Sequence, residues 1–122
     1  MKLSQNEWKI MNALWKKSPA TAREIIEQIP GNVGWAYTTV KTMLSRLVAK
    51  EAVSEYKRGN TSFYEPLIAR DNAHRNAFTD LFDKVLDGTV EPLMHFLIEE
   101  KRLSKKEREE LIRMLEKENQ EG

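Results

Sequence analysis

In the run Tyr37-Thr38-Thr39-Val40-Lys41-Thr42-Met43-Leu44-Ser45-Arg46-Leu47, hydrogen-bonding side chains alternate with apolar ones at helical spacing. Val40, Met43, Leu44 and Leu47, continued by Val48, mark the buried side of a helix. The other side carries Tyr37, Thr38, Lys41, Thr42, Ser45 and Arg46. Short hydroxyls and one long donor near a helix start can hydrogen-bond the edges of base pairs, and threonine methyls pack on the methyl group of thymine. Thr38, Thr39, Lys41 and Thr42 are therefore candidate base readers. Tyr37, Ser45 and Arg46 are candidate contacts to the sugar-phosphate backbone, joined by Lys57 and Arg58 further along the chain.

No competing chemistry emerges from the rest of the sequence. Catalysis needs a nucleophile, an acid-base pair, a metal or a phosphate cradle. The absence of cysteine excludes disulfides, thiolate metal sites and cysteine nucleophiles together. His74 and His95 are the only imidazoles and have no acidic cluster of ligand spacing beside them, so no metal site is expected. The glycines at 31, 34, 59, 88 and 122 are scattered turn and terminus positions rather than a phosphate loop. We expect no cofactor and no enzymatic activity.

The elements that must position the candidate face follow from local signals. Ser4 with Glu7 three residues later is a capping box opening a helix whose stripe is Trp8, Met11, Leu14 and Trp15, closed by Ser18-Pro19. Trp8, Met11 and Trp15 at that spacing read as core packing. Thr21 with Glu24 repeats the box ahead of Ile25, Ile26 and Ile29, and Pro30-Gly31 stops this short second helix. Asn32-Val33-Gly34 reads as a turn into the third helix, and Trp35 beside it suits either the core or a sugar-phosphate edge.

From Val53 the period changes to that of strands. The runs 52–57 and 62–67 flank Arg58-Gly59-Asn60-Thr61, a hairpin signal in which Gly59 and Asn60 tolerate positive φ, with Pro66 at a strand end or edge. Beyond Arg70 the pattern is helical. Phe78, Leu81, Phe82, Val85 and Leu86 form one stripe, broken at Asp87-Gly88. Val90, Leu93, Met94, Leu97 and Ile98 form a second, with Pro92 in a first turn. Ser104 with Glu107 opens a last helix carrying Leu111, Ile112 and Leu115.

The order of elements predicts a mostly α protein. A winged helix-turn-helix of three helices and a two-stranded β-hairpin spans residues 1–70, followed by a helical dimerisation region over 71–122. Charge divides along the same line. Residues 1–70 hold 11 Lys and Arg against 6 Asp and Glu, and residues 71–122 hold 9 against 13, which suits a basic half that meets a polyanion. No run of eighteen apolar residues and no basic-then-apolar leader is present, so a cytoplasmic protein with no membrane partner is expected. A winged module that binds protein rather than DNA is the competing reading. Such modules usually lose the hydroxyl and basic face and the basic wing, both of which are retained here.

With these residues in view, the run 37–47 resembles the recognition helix of the penicillinase repressor family, to which the methicillin-resistance regulators and copper-responsive repressors also belong. The opening Leu3-Ser4-Gln5-Asn6-Glu7-Trp8-Lys9-Ile10-Met11, with a second tryptophan at Trp15, is similar to the family's first helix. The resemblance covers nearly the whole chain. It implies a homodimer with interlocked C-terminal helices, presenting two winged heads to a palindromic double-stranded operator, often with TACA/TGTA-type half-sites. The stripes after Arg70 agree, since pairing with a second copy would bury Phe78, Leu81, Phe82, Leu93, Phe96, Leu97 and Leu111; the alternative is a private three-helix core.

The sequence departs from its relatives at two points. β-Lactam-responsive members are cleaved at an Asn-Phe bond in a C-terminal helix, and the matching position here is His95-Phe96. The copper-responsive branch ends in a Cys-x-Cys motif, which a chain without cysteine does not have. The resemblance thus leaves the releasing partner, a sensor or a protease, unidentified.

Overall fold

The computed structural model describes residues 2–31 and 33–121; Met1, Gly122 and Asn32, the last of these expected in the turn before the third helix, lie outside the described residues. The chain forms two compact units, Met1–Phe78 and Thr79–Gly122.

The first unit is a three-helix head with a wing. α1 spans Gln5–Lys16, α2 Ala22–Gln28 and α3 Tyr37–Ala49. Both expected capping boxes at the start of the head are made. The Ser4 amide donates to Glu7 Oε1 at 2.8 Å and the Glu7 amide to Ser4 Oγ at 3.2 Å, and Thr21 and Glu24 exchange the same pair at 3.0 and 3.2 Å. α3 ends differently. Glu51 adopts φ 64°, and the amides of Glu51 and Ala52 donate to the Val48 and Leu47 carbonyls, closing the helix with the paired bonds of a Schellman motif. This turn delivers the chain from α3 into the hairpin that follows.

The wing is β1, Val53–Arg58, paired antiparallel with β2, Thr61–Pro66, so that Val53 faces Pro66, Glu55 faces Tyr64 and Lys57 faces Ser62. Only Gly59 of the two turn residues takes positive φ, at 61°. That corrects the expectation for Asn60 and matches a type II′ turn, which demands it at the first central position. The hairpin is also tied at its outer edge, where the Tyr64 amide donates to the Ala20 carbonyl at 2.8 Å and the Ala20 amide donates back at 3.0 Å. The wing base is thereby fixed to the link between α1 and α2.

Ile10, Met11, Leu14, Ile25, Val40, Leu44, Leu47, Val53 and Tyr64 form the centre of the core, each with no more than 2 % of its surface exposed. Burial of an aliphatic side chain of this size contributes about 1.5–3 kcal/mol, so this set holds the angle between α3 and the other helices. Trp35 settles toward the core, half-buried, with the Lys9 ammonium 5.6 Å from its ring centre. Trp15 also packs on the core and donates its Nε1 proton to the Ile68 carbonyl at 3.0 Å.

Glu7 is the one buried charge among the described residues, and the Lys50 ammonium lies 2.7 Å from its Oε1. Burial pushes its carboxyl up, but hydrogen bonds from Lys50 and from Ser4 outweigh that and hold it below the ordinary carboxylate range. The carboxylate therefore stabilises the head above its unfolded pKa, and that contribution fades as the pH falls through the lower folded value. The pair joins the start of α1 to the end of α3.

α4, Arg70–Asp80, begins within the head. Ala73 is buried and His74 sits in an aromatic cluster 5.9 Å from Trp8, 6.2 Å from Trp15 and 5.8 Å from Phe78. The first compact unit thus takes in most of α4 and runs to Phe78. Leu81–Val85 then wind as a five-residue π turn instead of continuing the α stripe, and Asp87 and Gly88 break it with φ 51° and 80°.

In the second unit α5 spans Glu91–Glu99, with Pro92 in its first turn, and α6 spans Lys105–Glu121 behind the third box, Ser104 with Glu107. Its described residues form no private core. None of its described residues is buried, Leu86, Leu93, Leu97 and Leu103 are half-buried, and Leu81, Phe82, Val85, Met94, Phe96, Ile98, Leu111, Ile112 and Leu115 are exposed. No helix among the described residues is long and apolar enough to cross a membrane.

Candidate nucleic-acid interface

Burial of Val40, Met43, Leu44 and Leu47 turns the remaining surface of α3 outward. Thr38, Thr39, Thr42, Ser45 and Arg46 are all exposed on it, as is Tyr37 at its start. Thr42 Oγ1 donates to the Thr38 carbonyl one turn back at 3.0 Å, so its donor is spent within the helix. What Thr42 offers outward is an acceptor oxygen and a methyl group. Those match the N6 or N4 amino groups of adenine or cytosine and the thymine methyl.

Lys41 leaves the group in which sequence spacing put it. Its ammonium donates to the Tyr64 hydroxyl at 2.9 Å and lies 5.5 Å from the ring centre, while the Tyr64 hydroxyl donates to Glu55 Oε2 at 3.3 Å. The hydrogen bond to Tyr64 holds the Lys41 pKa above the ordinary ammonium value against the opposing effect of burial. Half-buried, Lys41 faces the wing rather than the open face of α3.

The two wing cations also separate. Alternation along the ribbon puts Lys57 on the face of Glu55, Tyr64 and Ser62, and Arg58 on the face of Tyr56, Phe63 and Thr61. On that second face Tyr56 and Phe63 stack with centroids 5.7 Å apart, and the Arg58 guanidinium lies 6.0 Å from the Tyr56 ring centre.

Arg23, on α2, escaped sequence reasoning. Its guanidinium lies 4.9 Å from the centre of the Tyr37 ring, which brings it to the start of α3. Position alone held a signal, since the helix before a recognition helix crosses the backbone. Tyr64 and Glu55 carried none, because their role depends on a contact across 23 residues of sequence.

Of the remaining candidates, Phe78, Leu81, Phe82, Phe96 and Leu111 are exposed, and Leu93 and Leu97 are half-buried. His95 and Phe96 lie in the middle of α5, with His95 Nε2 3.6 Å from Glu91 Oε1. Among the described residues no group of three or more His, Cys, Asp or Glu could hold a metal ion.

Three helices, a two-stranded wing and an exposed hydroxyl and basic face on the third helix define the winged helix-turn-helix class. Within it, the chain matches the penicillinase repressor family model over residues 3–117 and belongs to that family. The methicillin resistance regulatory protein MecI of Staphylococcus aureus (strain N315) is 30% identical over 115 residues, 94% of each chain. The penicillinase repressor of Bacillus licheniformis is 28% identical over 114 residues, 93% of this chain and 89% of the relative. The solution structure of the DNA-binding domain of the repressor BlaI matches 58% of this chain and 87% of its own at 31% identity, with a TM-score of 0.52. The monomeric form of Bacillus licheniformis BlaI, solved in complex with the blaP half-operator, matches 59% of this chain and 88% of its own at 30% identity, with a TM-score of 0.50. The family is one of transcriptional repressors, not enzymes.

Proposed function

We propose that this chain is a DNA-binding transcriptional repressor that acts as a homodimer on a palindromic operator. The exposed face of α3 carries the proposal: hydroxyls at Thr38, Thr39 and Thr42 for base edges, with Tyr37, Ser45 and Arg46 beside them for the backbone. Lys57 and Arg58 extend the backbone contacts from the wing. The monomeric relative solved on a half-operator supports one head per half-site. One short helix reads too few base pairs for useful specificity, and two heads double the contacts. The exposed apolar residues of the second unit, Leu81, Phe82, Phe96 and Leu111 among them, are the surface through which two copies pair. An operator overlapping a promoter would then exclude polymerase.

Salt titration of duplex binding separates this function from a protein-binding adaptor. Arg46, Lys57 and Arg58 on two heads release enough counterions for a slope of log K against log salt of about −5 or steeper. Affinity therefore falls roughly a thousandfold between about 50 and 200 mM salt. A folded protein whose duplex binding is absent or insensitive to salt would be an adaptor instead.

A further inference from the structure

We propose that the cleft between α2, α3 and the wing binds a phosphate group of the DNA backbone, held by Arg23 and Lys41. This rests on the DNA-binding function above and assigns Lys41 to the backbone rather than to bases.

The cleft has a volume of about 230 Å³, and Arg23, Tyr37, Lys41, Thr61, Ser62 and Tyr64 contribute to its lining. Both charged residues lining it are cations, and no carboxylate lines it. Glu55 instead accepts the Tyr64 hydroxyl proton at 3.3 Å, which leaves that oxygen's lone pairs for Lys41. An ammonium has three protons to donate, and among the described residues that of Lys41 uses one, on Tyr64. Tyr64 is 2 % exposed and fixed by the bridge to Ala20, so the hydroxyl is a rigid anchor that aims Lys41 at the cleft.

Arg23 is prepared in a different way. Its guanidinium lies against the Tyr37 ring and makes no ion pair among the described residues, leaving planar N–H donors that match two phosphate oxygens. Thr61 and Ser62 add hydroxyls from the wing. The cleft is bounded by the recognition helix on one side and the wing on the other. A backbone strand passing from the groove read by α3 to the wing crosses it. Tyr64 and Glu55 are positioning residues, since they act through Lys41.

The test uses the full chain and a duplex selected by it from a random pool, with single neutral methylphosphonates placed in turn along each half-site. At one position per half-site the substitution weakens the unmodified protein about tenfold, and changes Arg23→Ala or Lys41→Ala less than about twofold. Each variant weakens selected and scrambled duplexes alike and flattens the salt slope by about 2, one contact per head. Tyr64→Phe, which keeps the buried ring, weakens binding a fewfold, and this effect disappears in a Lys41→Ala background. Circular dichroism melts confirm that the variants compared are folded. A Lys41→Ala protein that prefers a different base, with its salt slope and methylphosphonate sensitivity intact, would overturn the proposal. Saturable binding of inorganic phosphate at Arg23 and Lys41, with no methylphosphonate effect on duplex binding, would make the cleft a free-anion site and overturn it too. Failure of the unmodified protein to bind any duplex would remove the DNA-binding function itself.

Discussion

Replacing Phe82 and Phe96 together with glutamate yields a monomer at micromolar concentration whose operator affinity is lower by about a hundredfold or more. The reasoning starts from what the second unit fails to bury. Phe82 and Phe96 are 41% and 49% exposed, and they lie in a unit whose described residues include no buried side chain. Exposed apolar side chains grouped in one unit mark an interaction site. Burying it against a second copy recovers about 25 cal/mol for each Å² removed from water, whereas a carboxylate forced into that interface must be desolvated without a partner. The loss of DNA affinity follows from linkage between heads. Once one head is bound, the second sees its half-site at high effective concentration, and a monomer forfeits that advantage. Sedimentation and duplex titration of the same sample check both parts. A double variant that remains dimeric, or one that is monomeric with undiminished affinity, contradicts the assignment of this surface to pairing.

Leu44→Ala lowers the stability of the winged head by about 3 kcal/mol. Leu44 is fully buried on the inner side of α3, in a core shared with Ile10, Leu14 and Ile25. Truncation loses the transfer free energy of the removed carbons and leaves a cavity that rigid helices fill only in part. For a head of this size that corresponds to a melting point lower by about 15 °C. Thr42→Ala, on the exposed side of the same helix, shifts stability by less than about 0.5 kcal/mol, which makes it the control for a functional rather than structural surface. Thermal melts followed by circular dichroism give both values. A loss below about 1 kcal/mol at Leu44 would mean that α3 is not held by this core.

The features legible in the sequence were those whose cause lies within a few residues. Each capping box needs only a hydroxyl and a glutamate three positions apart, and Ser4, Thr21 and Ser104 all make theirs. The buried side of α3 follows from the spacing of Val40, Leu44 and Leu47, so its exposed hydroxyl face was readable by subtraction. Gly59 signalled the turn because a side chain at φ 61° would be strained. Features that depend on contacts distant in sequence were not readable. Nothing local announces that Ala20 pairs with Tyr64, or that Tyr64 draws Lys41 away from Thr38 and Thr42. Helical periodicity marked where Lys41 emerges from α3 but not where its four-carbon stem would lead. The packing of the first turns of α4 on the head was hidden for a similar reason, since Ala73 is too small to show in a hydrophobic stripe and His74 joins the head through Trp8 and Trp15. Over a single turn the π segment Leu81–Val85 has the same side-chain pattern as an α-helix.

The most direct measurement is selection of bound duplexes from a random pool by the purified full chain. The proposed dimer of winged heads predicts an inverted repeat of two short half-sites, bound with the chain in a two-to-one ratio to duplex. A pool that shows no enriched sequence, while the protein remains folded and dimeric, would contradict sequence-specific DNA reading and leave the exposed face of α3 to a protein partner.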